Sequence, residues 1–110
     1  MASSIIKLVQ NDTGPNIDLT LVDPDNNNTP LNLTSATVMF YFKKIGATVL
    51  KASITCSKPN GGGDGVVRIT WGVTDLDTSG DFEGEIEITN GGQIQTVERK
   101  LKFRIRKQIG

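Results

Sequence analysis

Apolar and polar positions alternate along most of the chain, and the alternation is most regular between Phe82 and Ile88. Even-numbered positions there are apolar or glycine, and the odd-numbered positions are Glu83, Glu85 and Glu87. Successive side chains of a strand point to opposite faces of its sheet, so the pattern predicts a strand with one buried and one solvated face. No segment has a sustained helical period, and no helix longer than one turn is predicted.

Seven segments in all have the pattern of short strands, and turn residues separate them. They cover about residues 5–9, 17–21, 36–43, 50–56, 67–71, 82–88 and 93–106. Asn90 and Gly91 give the strongest hairpin signal, because a type I′ turn needs a positive φ at both central residues. In the last segment the inward positions from Val97 on are odd-numbered, whereas the apolar Ile94 is even-numbered; we call this odd or even position the parity of a residue. A bulge or register change is therefore expected between Ile94 and Val97.

The turn before the most regular strand carries a second signal of architecture. Asp77, Gly80 and Phe82 have the Asp-x-x-Gly-x-aromatic spacing found where the chain crosses between the sheets of an immunoglobulin-like sandwich. Together with the seven strands, it predicts an all-β fold, an immunoglobulin-like Greek-key β-sandwich of about seven antiparallel strands. The 110 residues form a single predicted domain, 1–110, which is large enough to fold without a metal or a disulfide.

Composition argues against several classes of function. Cys56 is the one cysteine, so no internal disulfide forms, and a protein that folds in a reducing cytoplasm is favoured. The chain has no histidine, the commonest general base, so we expect no catalytic site, metal or cofactor. The net charge is zero and the N-terminus resembles neither a signal peptide nor an anchor, so neither nucleic acid nor a membrane is an expected partner.

Three patterns resemble chemical sites, and each has a simpler interpretation. Alternate residues of a strand lie roughly 6.5–7 Å apart, near the separation of glycosidase carboxylates, but without a predicted cleft the three glutamates favour a solvated face. The segment from Asp23 to Asn27 begins like a calcium loop, but position twelve is Thr34 instead of glutamate, which favours a surface turn. GGGDG at 61–65 lacks the Lys-Ser/Thr of a phosphate loop and predicts a flexible hairpin tip.

The last predicted strand is basic and includes Arg99, Lys100, Lys102, Arg104 and Arg106. Such a row of cations can bind nucleic acid, but exposed aromatic residues that stack on bases are not predicted. The Asn90-Gly91 hairpin would instead place this strand beside the glutamates, where opposite charges pair across strands. Its far end, from Arg104 to Lys107, runs past the glutamates, so we expect it to meet an acidic protein partner.

Two further segments are candidate protein contacts. Met39 and Tyr41 have the parity opposite to the apolar residues of their strand, which predicts an exposed pair of a kind enriched at interfaces, unless the Leu31–Leu33 segment covers them. The N-terminal strand is apolar on both faces, and an edge strand of this kind invites pairing with another chain. The candidate interface residues are therefore Ile5, Ile6, Met39, Tyr41, Arg104, Arg106 and Lys107.

Taken together, the motifs resemble the N-terminal domain of phage baseplate upper proteins and its stand-alone relatives. The resemblance rests on NDTGP at 11–15, LTLVD at 19–23, TPLNLTSATVMFYF at 29–42, VVRITW at 66–71 and DLDTSGDFEGEIEI at 75–88. Three positions depart from the family pattern, with Asn32 in place of Asp, Ser35 in place of Gly and Phe82 in place of Tyr.

The resemblance implies a non-enzymatic structural protein of a tailed bacteriophage virion, a baseplate or tail adaptor made in the cytoplasm of the bacterial host. Its expected partners are other virion proteins and, through symmetry, further copies of itself. The first alternative is a head decoration or cement protein, since such proteins are often small and stand alone. The second is a soluble carbohydrate- or protein-binding module, which the inward parity of the single Trp71 disfavours.

Overall fold

The computed structural model describes residues 5–14, 16–97 and 100–109. Within these ranges the chain forms ten strands and one short 3-10 helix, and no α-helix. In chain order the elements are β1 (Ile5–Val9), β2 (Ile17–Thr20), β3 (Val22–Asp23), the 3-10 helix (Pro24–Asn26), β4 (Thr29–Pro30), β5 (Thr37–Lys44), β6 (Ala52–Thr55), β7 (Val66–Ile69), β8 (Gly80–Asn90), β9 (Gln93–Thr96) and β10 (Leu101–Arg106). The predicted all-β sandwich is confirmed, and each of the seven predicted strands has a counterpart.

Most of the strands belong to one large sheet, in the spatial order β1-β10-β8-β5-β6. The long strand β8 pairs with β5 along one edge, and with β10 and then β9 along the other. A smaller sheet contains β2 and β7, and β3 pairs with β4. One pairing differs from an all-antiparallel sandwich, because β1 runs parallel to β10, with Ile5 opposite Lys102 and Val9 opposite Arg106.

The hydrophobic core lies between the sheets and contains the residues of inward parity. Val38, Phe40 and Phe42 of β5 are almost completely buried. Val67 and Ile69 of β7 join the same cluster from the smaller sheet. Burial of apolar side chains on one face of each sheet is the main stabilising contribution to a fold of this kind.

Aromatic rings occupy the centre of this core. Phe42 stacks on Phe82 with ring centroids 4.8 Å apart and an interplanar angle of 9°. Trp71 meets Phe103 edge to face at 5.8 Å and 89°, a geometry that aromatic pairs favour. Cys56 is buried, and burial raises the pKa of its thiol to about 11.

The glycine-rich segment before β7 differs from the flexible tip that its composition predicts. Gly62 and Gly65 are buried and have φ angles of +94° and +76°. The N–H of Leu33 donates to the carbonyl of Gly62 at 2.8 Å, and the N–H of Leu21 donates to the carbonyl of Gly65 at 2.8 Å. Glycine is required at these two positions, because the loop packs directly on neighbouring backbone in a conformation that other residues rarely adopt.

The register change in the last strand lies later in the chain than the sequence predicted. Ile94 is simply exposed on the outer face, and the N–H of Val97 still donates to the carbonyl of Ile86 at 2.8 Å. Leu101 then lies opposite Gly84. The pairing with β8 at Leu101 is therefore shifted by two residues relative to the pairing at Val97.

Candidate protein-binding surface

The outer face of the large sheet carries Met39 and Tyr41, both partly exposed on β5. Leu33, from the segment considered as a possible cover, packs into the core. The Tyr41 hydroxyl donates a hydrogen bond of 3.1 Å to Glu87 Oε1, and this bond is the main cause of the raised pKa of the Tyr41 phenol. Thr55 Oγ1 lies 3.2 Å from Met39 Sδ. The pair is therefore open to solvent but held by neighbours on β6 and β8.

The glutamates of β8 lie on the same outer face, and lysines flank Glu83 on both sides. Glu83 Oε1 is 3.6 Å from Lys43 Nζ and 3.9 Å from Lys100 Nζ. Lys102 lies opposite Glu83 across the strands, as the predicted pairing of β8 with the basic strand requires. Arg99, which belongs to the predicted basic row, lies outside the described residues. The outer face next to these charges forms an open basin of about 320 Å³.

Positive charge collects where β1 runs beside β10. Lys7 lies directly opposite Arg104, and both side chains are exposed on the outer face. Arg104 Nε is 3.1 Å from Asp81 Oδ1, so this arginine is compensated, which corrects the expectation that the whole far end runs past the acids. Among the described residues, no carboxylate lies within 4.0 Å of Lys7, Arg106 or Lys107. We refer to Lys7, Arg104, Arg106 and Lys107 as the basic edge.

The two isoleucines proposed as contacts at the N-terminus lie on opposite faces of β1. Ile5 is 41% exposed on the outer face, beside the basic edge. Ile6 lies opposite Phe103 and packs against the core. Lys7 was absent from the predicted contact residues, because its neighbours on β10 come from the other end of the chain. The one signal available in the sequence was a single cation inside an apolar edge strand.

Sequence reasoning also missed an apolar loop between β5 and β6. Ile45, Val49 and Leu50 are 50%, 73% and 51% exposed. Leu50 begins the segment 50–56 that the alternation predicts as a strand, but β6 begins only at Ala52, so Leu50 lies in the loop instead. It lines the outer basin together with Tyr41, which extends the apolar part of the outer face.

A second apolar feature lies between the sheets, next to the register change of the last strand. An open groove of about 370 Å³ is lined there by Leu19, Thr20, Leu21, Val22, Ile86, Val97 and Leu101. Strand β2 forms one wall of the groove and pairs with β7 along its opposite edge.

The segment that begins like a calcium loop has a structural role. The Asp23 side chain accepts a 3.0 Å hydrogen bond from the N–H of Asp25 and caps the 3-10 helix, in the manner of a surface turn. Across the part of the chain that the structure describes, no group of three or more His, Cys, Asp or Glu side chains is arranged to hold a metal ion. No helix in the described ranges is long and apolar enough to cross a membrane.

Comparison with known proteins identifies the fold. No protein-family model matches the sequence, and no curated protein sequence matches it significantly. Among solved structures, the N-terminal domain of phage TP901-1 ORF48 is similar, with a TM-score of 0.67 at 17% sequence identity. The match covers 94% of this chain and 86% of that chain. At this level of identity the likeness establishes a shared β-sandwich architecture over almost the whole chain.

Proposed function

We propose that this protein is a non-enzymatic structural component of a tailed bacteriophage virion, and that it acts through protein–protein contacts as a baseplate or tail adaptor. The observation that carries the proposal is the similarity to the N-terminal domain of phage TP901-1 ORF48, over 94% of this chain and 86% of that chain. The five sequence motifs that resemble the N-terminal domain of phage baseplate upper proteins support the same assignment.

The chemistry of the described residues supports a role without catalysis. Burial raises the pKa of the Cys56 thiol to about 11, so at neutral pH it is protonated and a poor nucleophile. Glu83 lies between two lysines at the edge of an open basin, which is the arrangement of ion pairs on a solvated surface. The parts of the molecule available for function are therefore its surfaces.

The outer face of the large sheet is the contact surface that we propose for assembly. Met39, Tyr41 and Leu50 supply apolar area there, and charged side chains such as Lys43 and Glu85 surround them. An apolar centre within a polar rim is the usual composition of a protein interface. In a virion, symmetry repeats each small contact many times, so individually weak contacts hold neighbouring proteins and further copies of this chain together.

Immunogold labelling of purified phage particles tests the proposal. Antibodies raised against the purified protein are expected to label the tail end of intact virions, and preimmune serum is expected to label nothing. Label confined to the head would contradict the adaptor role and support a decoration protein instead. Particles that carry no label, from lysates that contain the protein, would contradict a place in the virion altogether.

A further inference from the structure

We propose that the open edge of β1 binds an extended acidic segment of another protein, which adds as a further strand to the large sheet and sets its carboxylates against the basic edge. That the partner is a virion protein rests on the proposed function. The acidic and extended character of the partner rests instead on the backbone and the charges of β1 and β10.

The backbone of β1 has one paired and one open side. In the described chain β1 pairs with β10 and with no other strand. The N–H of Gln10 donates to the carbonyl of Arg106 at 2.9 Å, which fixes even-numbered residues as those whose backbone groups point toward β10. The N–H and C=O groups of Lys7, and the N–H of Val9, therefore point toward the open side. They form the donor and acceptor row that a further strand requires.

The side chains above this row are cationic. Lys7 lies opposite Arg104 and Val9 opposite Arg106 on the outer face. Like charges directly opposite each other across strands are destabilising, and in the described residues Asp81 alone lies close enough to offset one of them. An open depression of about 410 Å³ lies among these cations, and Leu8 and Val9 contribute to its lining. A partner with carboxylates on one face of a strand would relieve this repulsion.

The same cations attract nucleic acid, but other features favour a polypeptide. Protein surfaces that bind single-stranded nucleic acid offer aromatic rings on which bases stack. The phenylalanines and the tryptophan are buried, and Tyr41 lies on β5, separated from β1 by β10 and β8. The open edge presents the carbonyl of Lys7 as well as N–H groups, and a further strand supplies both a donor and acceptors, whereas phosphate groups only accept hydrogen bonds.

A second copy of this chain does not fit the same edge. Pairing of two β1 strands would bring Lys7 and its neighbouring arginines of both copies together, and lysine on an edge strand opposes self-association in this way. The same positive charge repels a second copy of β1 and attracts an acidic strand. The edge therefore selects a different partner by electrostatic complementarity.

Synthetic peptides and the full chain provide the test. The first peptide alternates four valines with four glutamates, so all its carboxylates lie on one face of a strand. The second has the same composition as a block of valines followed by a block of glutamates. The third is the alternating peptide with N-methylated backbone, which removes its N–H donors. Calorimetry measures affinity, and NMR measures hydrogen exchange at the Lys7 and Val9 amides.

We expect the alternating peptide to bind at least about tenfold more tightly than the other two, and to protect the Lys7 and Val9 amides from exchange. Lys7→Glu and Arg106→Glu should each weaken its binding by about tenfold. Lys44→Glu, the same charge change at an exposed residue of β5, should leave the affinity unchanged. Circular dichroism confirms that each variant is folded.

Equal affinity for all three peptides would mean attraction by charge alone and would overturn strand addition. Tighter binding of an oligothymidylate than of the alternating peptide would assign the edge to nucleic acid and overturn the proposal as well. If the peptides do not bind as expected, the assignment to the virion is unaffected, because labelling of particles does not depend on this edge. Conversely, particles without the protein would remove the proposed function and leave the peptide result intact.

Discussion

Gly84 of β8 lies directly against the ring of Phe40 of β5. A Cβ atom at position 84 would stand 2.3 Å from Phe40 Cε1 and 2.4 Å from Cζ, closer than atoms can approach. We expect Gly84→Ala to lower the free energy of unfolding by about 1–3 kcal/mol, because the ring must leave its packed position. Urea denaturation followed by Trp71 fluorescence measures the loss.

Gly63 supplies the matched control for that substitution. The nearest atom to an added Cβ is Thr34 Oγ1 at 3.8 Å, which is ordinary contact. Gly63→Ala should therefore change the free energy of unfolding by no more than about 0.5 kcal/mol. If the two variants lose the same stability, the contact between Gly84 and Phe40 is not what excludes a side chain.

Two glycines of the segment before β7 should respond differently to the same substitution. Both have a positive φ, +85° at Gly61 and +76° at Gly65, so alanine is strained at each. A Cβ at Gly61 meets nothing within 4 Å, whereas one at Gly65 would lie 2.6 Å from the Leu21 carbonyl oxygen. Gly61→Ala should cost about 1 kcal/mol, and Gly65→Ala at least about 2 kcal/mol more, by denaturation. Equal losses of stability in the two variants would contradict the close packing of Gly65 and support the flexible hairpin tip that the composition predicts.

The outer face of the large sheet should tolerate charge without unfolding. Met39→Asp combined with Tyr41→Asp is expected to leave a folded monomer and to reduce incorporation into phage particles by at least about tenfold, since charge at an apolar interface centre opposes burial. Circular dichroism and quantification of particle-bound protein measure the two effects. Thr20→Asp combined with Thr70→Asp adds the same charge at exposed positions near the smaller sheet. Unfolding of the first variant would place Met39 and Tyr41 in the core, and equal incorporation of both would exclude this face.

The free energy of unfolding should fall in acid, because acid protonates carboxylates that form ion pairs on the folded surface. Arg68 donates hydrogen bonds of 2.8 and 3.0 Å to the two oxygens of Asp18 and lowers the pKa of that carboxyl. A pKa lower in the folded than in the unfolded state contributes stability above the ordinary value of about 3.9, and the contribution is lost as pH falls through the folded pKa. An NMR titration should show Asp18 titrating below that value, and Arg68→Gln should return it upward. An unchanged Asp18 pKa in the variant would contradict this origin.

The features that local pattern decides were predictable from the sequence. Alternation from Phe82 to Ile88 placed the phenylalanine and both isoleucines in the core and the glutamates outside, because strand geometry depends on nearest neighbours alone. Parity likewise placed Trp71 inside. These predictions needed no knowledge of which strands are adjacent.

The basic edge and the packed glycines depend on contacts between distant segments. Lys7 joins the basic edge because β1 pairs in parallel with β10, and the alternation of β1 does not specify this pairing. The composition around Gly62 and Gly65 predicts a flexible tip, but in the fold Leu33 and Leu21 form backbone hydrogen bonds with them. Long-range register and packing are set by the whole fold, so neither the basic edge nor the packing of these glycines was predictable from local patterns.

The most direct measurement of the central proposal is quantitative mass spectrometry of gradient-purified phage particles, with the tail proteins as internal standards. A structural adaptor is present at a fixed copy number per particle that matches the symmetry of its site, and this number persists through repeated gradients and a salt wash. We expect such a constant ratio. A protein abundant in the infected lysate but absent from purified particles, or at a ratio that falls with each wash, would contradict a structural role in the virion.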